Sequence, residues 1–197
     1  MSNPEIIPAA ATAILDTQRW LESAVIGLNL CPFAKAVHVK GLIRYAVSEA
    51  TTPSELLSDL KNELNSLANI VIAGVSVTYD TTLLIAPYCL HDFLDFNDLL
   101  GKADKLLVKM KLEGTIQLAN FHPQYQFAGT EPDDITNFTN RAPYPTLHLL
   151  RESSIDQAVE AFPVAEAIFE VNMETMERLG LKGWDALQVG ATLNTTP

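Results

Sequence analysis

The chain has 197 residues, of which 48% are hydrophobic and 19% are charged, and its formal net charge at pH 7 is −11. This length predicts a single domain with a core of ordinary size. The negative charge argues against nucleic acid and anionic membrane surfaces as partners, because both bind basic patches. Two cysteines give no disulfide framework, and no apolar run reaches the roughly 18 residues of a membrane span. A cytoplasmic protein is therefore expected.

The first two thirds of the chain alternate between helical and extended patterns. Leucines recur at helical spacing from Leu56 to Leu67, after a Thr52–Glu55 segment that is typical of a helix start. Asp92 is the expected cap of a second long amphipathic helix. Segments rich in β-branched residues are predicted as strands. In chain order, the predicted elements are a helix at 12–29, a short helix from Cys31, a strand at 42–47, a helix from Thr52, strands at 70–77 and 82–86, a helix from Asp92 and a strand at 116–121.

The order strand, helix, strand, strand, helix, strand predicts an α+β fold with a ferredoxin-like βαββαβ core, in which two helices cover one face of a four-stranded antiparallel sheet. If residues 70–77 are not a strand, the order becomes βαβαβ, a small parallel sheet. The N-terminal helix precedes this core, and a long ordered loop and C-terminal helices follow it. The remaining predicted boundaries are a strand at 146–150, helices from Ser153 and Pro163, one domain over 1–197, and mobile tails at 1–10 and 186–197.

The segment Phe121–Glu152 contains a long stretch without helical or strand periodicity. Between Gln124 and Pro145, three prolines interrupt the chain, yet four aromatic side chains lie there as well. Loops of this length are usually functional or disordered, and the aromatic residues argue against disorder. We therefore predict that this segment forms a ligand or active site.

Residues that can carry chemistry are concentrated in the same segment. It holds two of the four histidines and two of the five arginines of the chain. Arginine binds carboxylate or phosphate through a rigid fork, which predicts a site for an anion; alternatively, the arginines pair with nearby acidic residues and lock the loop. The histidines are expected to act as acid, base or ligand, or to be buried structural residues. The candidate catalytic residues are Cys31, His122, His148, Asp134 and Glu152, and the candidate ligand-binding residues are Arg141, Arg151, Asn137, Asn140, Tyr125 and Tyr144.

Cys31 is the candidate that lies far from the loop in sequence. Pro32 after it predicts a helix that begins at the thiol, and a helix N-terminus lowers a thiol pKa. The alternative is a buried small apolar residue. Cys31, His122, His148 and Asp134 are zinc-ligand types, but no Cys-x-x-Cys or His-x-x-x-His spacing supports a metal, and none is predicted. Walker and dinucleotide-binding patterns are also missing, so the sequence assigns no cofactor.

The loop motif resembles the signature of a bacterial family of uncharacterised proteins, domain of unknown function 1415. The resemblance extends over nearly the whole chain and implies neither a reaction nor a cofactor. Ala142 stands where a serine is expected in many members, so a hydroxyl at that position is not essential. The matching segments are Leu28–Ala34, Thr81–Ile85 followed by Asp92-Phe93, Phe121–Gly129, Asp133-Asp134, Asn137 and Thr139–Glu152.

Three functions remain open from the sequence. The first is an enzyme that acts on a small anionic metabolite, a hydrolase or transferase with cysteine and histidine chemistry, in which the arginines hold the charge. The second is a non-catalytic small-molecule-binding or regulatory module, a role in which ferredoxin-like domains often serve. The third is a purely structural loop in an interaction protein. In the first two cases the expected partner is a small anionic ligand.

Overall fold

The computed structural model describes residues 9–68, 71–72, 75–76, 79–155 and 168–192. Helices and strands alternate over most of this range, and residues 152–155 are also helical. In chain order, the elements are α1 (Ala10–Trp20), a π-helical turn (Leu21–Ile26), α2 (Ala34–Val39), β1 (Ile43–Val47), α3 (Pro53–Ala68), β2 (Val71–Ile72), β3 (Val75–Ser76), β4 (Thr81–Ile85), α4 (Phe93–Met110), β5 (Ile116–Phe121), a 3₁₀-helix (Ile135–Asn140), β6 (Thr146–Arg151) and α5 (Ile168–Ala186).

The two long central helices begin as their sequences predict. At α3, the backbone N–H of Thr52 donates to the Glu55 carboxylate at 3.1 Å, and the backbone N–H of Glu55 donates to the Thr52 hydroxyl at 3.3 Å. This reciprocal pair is a capping box. At α4, the Asp92 carboxylate accepts the backbone N–H of Leu94 at 2.8 Å. Local capping chemistry therefore sets both helix starts.

The main sheet is mixed, with the strand order β1–β4–β6–β5. β1 and β4 are parallel, because α3 crosses over between them, and β6 runs antiparallel to both β4 and β5. In register across the sheet, Tyr45 lies opposite Leu83, Leu83 opposite His148, and His148 opposite Ala119. These four residues therefore share one face of the sheet.

The structure confirms the α+β class but differs from the ferredoxin-like topology. The segment predicted as one strand at 70–77 includes two short strands, β2 and β3, that pair with each other in a separate antiparallel sheet. β6 takes a place between β4 and β5, so the sheet is neither fully antiparallel nor the parallel βαβαβ alternative. The physical reason is that β-branched content favours extended backbone without choosing its partner strand.

Helices cover both faces of the main sheet. On the front face, defined by Leu147 and Leu149, the buried residues of α3 and α4 form the larger apolar cluster. On the back face, defined by His148, α1 and the π-helical turn contribute to a second cluster that includes Trp20 and Val25. The loop that follows β5 lies at the edge where Phe121 pairs with Thr146. Among the described helices, none is long and apolar enough to cross a membrane.

The C-terminal region is ordered beyond the point at which the sequence predicts its last helix to end. α5 bends at Gly180, which has a φ of 65°, and then continues to Ala186 instead of ending there. Beyond it, within the tail predicted to be mobile, Val189 is only 4% exposed. The backbone N–H of Thr192 donates to the Asp16 carboxylate at 2.7 Å. Residues 1–8, 156–167 and 193–197, which include the predicted helix start at Pro163, lie outside the described residues.

Candidate functional site

The loop between β5 and β6 is ordered by its own side chains. Asn137 is fully buried, and its Oδ1 accepts the backbone N–H of Phe127 at 2.9 Å and the hydroxyl of Thr130 at 2.8 Å. Its Nδ2 donates to the carbonyl of Glu131 at 2.8 Å. Asn137 therefore closes the turn at residues 127–131, and these bonds occupy the amide that was a candidate for ligand binding.

The 3₁₀-helix inside the loop has its own cap. The Asp134 carboxylate accepts the backbone N–H of Thr136 at 2.9 Å and its hydroxyl at 2.7 Å. These hydrogen bonds lower the pKa of Asp134. Asn140 closes the helix, and its carbonyl accepts the backbone N–H of His122 at 3.2 Å. The structure thus places Asp134 and Asn140 in the frame of the loop.

Aromatic contacts fix the loop to the rest of the protein. Tyr125 lies between Phe93 of α4, with ring centroids 5.1 Å apart, and Phe127 at 5.0 Å. Phe138 packs edge-on against Trp184 of α5 at 5.3 Å. Burial also raises the pKa of Tyr125. The aromatic residues that argued against disorder are the ones that hold the loop in place.

His122 is fully buried at the end of β5 and uses both ring nitrogens. Its Nε2 lies 3.0 Å from the carbonyl of Leu90, and its Nδ1 accepts the backbone N–H of Gln124 at 3.0 Å. This pattern defines a neutral ring that carries its proton on Nε2. Burial, the largest contribution, lowers the pKa of His122. His122 therefore ties the loop to the turn after β4, and a proton-transfer role would require breaking these bonds.

Arg141 is the half-buried cation of the loop. Its Nε donates to the carbonyl of Tyr125 at 3.2 Å, and one terminal nitrogen donates to the carbonyl of Pro132. The guanidinium carbon lies 4.0 Å from the centre of the Phe138 ring. Desolvation lowers the pKa of Arg141. The predicted alternative of pairing with nearby acidic residues is not seen, because the ion pairs of the described residues do not include Arg141.

Arg151 and Glu152 lie at the other end of β6. Arg151 donates to the carbonyls of Tyr79, at 3.4 Å, and of Leu67. The backbone N–H of Glu152 donates to the carbonyl of Thr115 at the start of β5. Five residue steps of strand separate Thr146 from Arg151, about 17 Å. The structure therefore does not bring Arg151 and Glu152 to the end of the sheet that carries His122.

His148 faces the back of the sheet. Its Nε2 is 2.6 Å from the hydroxyl of Thr81, which itself donates to the carbonyl of Leu149 at 2.6 Å. Because that hydroxyl proton is used, His148 donates through Nε2, and Nδ1 carries the lone pair. Burial lowers the pKa of His148 to about 4, so the ring is neutral at pH 7. The Phe121 ring lies 6.0 Å away.

Cys31 lies at the margin of the back-face cluster. The partly buried Cys31 packs against this cluster, which includes Ala142. Phe121 packs against the same cluster. Both ends of the loop therefore meet the neighbourhood of Cys31. The predicted fall in its pKa is wrong: burial raises the pKa of the thiol, although the backbone N–H groups of Phe33 and Ala34 oppose this. The helix begins only at Ala34, three residues after the thiol.

The partner of Tyr144 is Asp16, a buried carboxylate that the sequence patterns did not identify as a candidate. Its hydroxyl donates to the Asp16 carboxylate at 2.7 Å, and Asp16 is 1% exposed. This environment raises the pKa of Tyr144, chiefly through burial. The available signal was the position of Asp16 in α1, where it lies among the buried residues Ala13, Thr17 and Trp20. A carboxylate within an apolar stripe calls for partners.

The described residues form a small α+β protein in which a hydrogen-bonded loop packs at one end of a mixed sheet. In the described part of the chain, no three histidine, cysteine or acidic side chains are grouped so as to hold a metal ion. The chain belongs to the family described as protein of unknown function (DUF1415), whose model matches residues 12–186 and confirms the resemblance carried by the loop motif. Neither the curated proteins nor the solved structures contain a match to this chain.

Proposed function

We propose that this protein binds a small anionic metabolite at the loop, with Arg141 as the group that holds the anion. The observation that carries this proposal is the environment of its guanidinium. It is half-buried, its hydrogen bonds go to two neutral carbonyls, and none of the ion pairs in the described residues includes it. A buried charge is costly unless an opposite charge compensates it.

The remaining donors of Arg141 suit a carboxylate or a phosphate. A guanidinium has five N–H donors, and the two carbonyl bonds leave three of them. The Phe138 ring, 4.0 Å from the guanidinium carbon, restricts the plane of the fork. A fork held in one plane loses little freedom when it binds two oxygens side by side. The arrangement therefore favours a planar or tetrahedral oxyanion.

Binding is supported better than proton transfer at this loop. His122, the candidate acid or base at the end of β5, has both ring nitrogens bonded within the protein. Asn137 and Asp134 are occupied in the same way. These residues keep Arg141 in place, which is the role of a rigid supporting shell around a binding group.

Anion binding is expected to depend on Arg141. Inorganic phosphate and succinate, each added at constant ionic strength, should raise the melting temperature of the wild-type protein. Arg141→Lys keeps the charge but removes the fork. We expect it to lower the affinity for the stabilising anion at least tenfold, and so to reduce the rise in melting temperature. Arg178→Lys, which changes an exposed arginine of α5, serves as the matched control and should behave as wild type.

Two results would overturn this proposal. One is the lack of any stabilisation by phosphate or succinate in the wild-type protein. The other is an equal response of wild type and Arg141→Lys, with circular dichroism showing that both are folded.

A second candidate function is an enzyme with cysteine and histidine chemistry, a hydrolase or transferase. The observation in its favour is that Cys31 packs against the cluster contacted by Phe121, whose ring lies 6.0 Å from that of His148. A nucleophilic role needs a thiolate at neutral pH. Because burial raises the pKa of Cys31, we expect its alkylation rate, followed by peptide mass spectrometry, to keep rising above pH 9. A plateau reached below pH 8 would favour the enzyme instead.

A further inference from the structure

Three distant parts of the chain meet at one buried carboxylate. Asp16 of α1 accepts the hydroxyl of Tyr144 at 2.7 Å and the backbone N–H of Thr192 at 2.7 Å. It also accepts the Thr192 hydroxyl at 2.5 Å, and Arg19 lies 3.3 Å from it. The carboxylate therefore fastens the end of the described chain to the N-terminal helix and to the end of the loop.

We propose that residues 187–192 form a C-terminal latch that controls access to the thiol of Cys31. Val189 of this latch is buried in the back-face cluster. Cys31, Trp184 and Leu187 are partly buried and pack against the same cluster. Just before the thiol, the carbonyl of Leu30 accepts the side-chain amide of Asn172 of α5 at 2.8 Å. The C-terminal part of the chain and Cys31 therefore pack on the same cluster, and α5 reaches the residue next to the thiol.

The way in which the latch is attached allows it to open alone. The backbone N–H groups of Leu187 and Gln188 donate to the carbonyls of Trp184 and Asp185 in the last turn of α5, from which the latch continues. In the described part of the chain, the hydrogen bonds that join the latch to elements other than α5 are those of Thr192 to Asp16. Segments with few such attachments open at a smaller cost than the core does. The burial of Val189 and the Asp16 bonds therefore decide whether the latch is closed.

The second cysteine provides an internal reference for this idea. Cys89 is buried in the front-face cluster, on the other side of the main sheet from Cys31. Opening of the latch exposes the neighbourhood of Cys31 without disturbing α3 or α4. A change confined to Cys31 therefore reports the latch, whereas a change in both cysteines reports unfolding of the protein. The inference does not depend on which anion binds at Arg141.

The test is the alkylation rate of each cysteine in the full-length protein, with iodoacetamide as the probe and peptide mass spectrometry as the readout. Thr192→Val removes the shorter of the two latch bonds, and we expect it to raise the rate at Cys31 at least fivefold while the rate at Cys89 stays within twofold. Asp16→Asn should give the same pattern. Thr115→Val changes an exposed threonine and should leave both rates unchanged.

Tyr144→Phe distinguishes opening of the latch from a general loss of stability around Asp16. This change removes one bond to the carboxylate but leaves both bonds of Thr192, so the rate at Cys31 should stay within twofold of wild type. An unchanged rate at Cys31 in Thr192→Val would overturn the latch. So would an equal acceleration at Cys31 and Cys89, or an acceleration in Tyr144→Phe as large as that in Thr192→Val.

Discussion

Replacement of His122 by alanine is expected to lower the free energy of unfolding by about 3 kcal/mol. The imidazole is fully buried between Phe93 and Phe96, whose ring centroids lie 5.4 and 5.1 Å from it. Its loss leaves a cavity and two backbone groups without partners, the carbonyl of Leu90 and the N–H of Gln124. Each unsatisfied buried group costs about 1–3 kcal/mol. Urea denaturation at pH 7.5 measures the change.

The matched control is His38→Ala. The side chain of His38 is 31% exposed and lies 3.4 Å from the carboxylate of Glu22, which is 57% exposed. Exposed pairs of this kind contribute at most about 1 kcal/mol, so the control should unfold almost as wild type does. If His122→Ala were as stable as the control but no longer responded to phosphate or succinate, His122 would be a ligand contact, and its structural role would be wrong.

Local sequence patterns predicted the helices well. The buried residues of α3, Leu56, Leu60, Leu64 and Leu67, repeat at the spacing of one helix face, and Asp92 caps α4 through Leu94. These features depend on residues within one or two turns, so the sequence alone contains them. The pairing of the strands depends on contacts between distant segments. For this reason the β-branched run at 70–77 was identified as extended, whereas its separation from the main sheet was not foreseen.

The candidate site shows the same division between local and distant causes. Order in the loop followed from its aromatic residues, and Tyr125 and Phe138 do hold it. The partner of His122 could not be predicted, because the carbonyl of Leu90 is presented by a residue with a φ of 58°, a backbone conformation that leucine rarely adopts. The burial of Cys31 could not be read from the local helix start, because it depends on a cluster that includes Ala142 and Val189, which lie far along the chain.

Protonation of His148 is expected to destabilise the protein at acid pH. Its pKa is about 4 in the folded protein, against roughly 6.5 for an unfolded histidine. A folded pKa below the unfolded one means that the stability contribution is complete above pH 6.5 and is lost as the pH falls towards 4. Between pH 7 and pH 4 this loss amounts to about 2–3 kcal/mol. The direction of the shift at His122 is the same, so both histidines destabilise the protein in acid.

His148→Phe isolates the contribution of this residue. Phenylalanine keeps a ring on the back face beside Phe121 but cannot bind a proton, and the hydroxyl of Thr81 retains its bond to Leu149. The carboxylates and His122 titrate in both proteins, so their effects cancel in the difference. Urea denaturation from pH 7 to pH 4 should show wild type losing about 2–3 kcal/mol more than His148→Phe. Parallel losses in the two proteins would mean that His148 gains a proton as easily in the folded as in the unfolded state. His148 could then accept a proton at Nδ1 near neutral pH and act as a base. That result would favour the second candidate function, the enzyme, over anion binding alone.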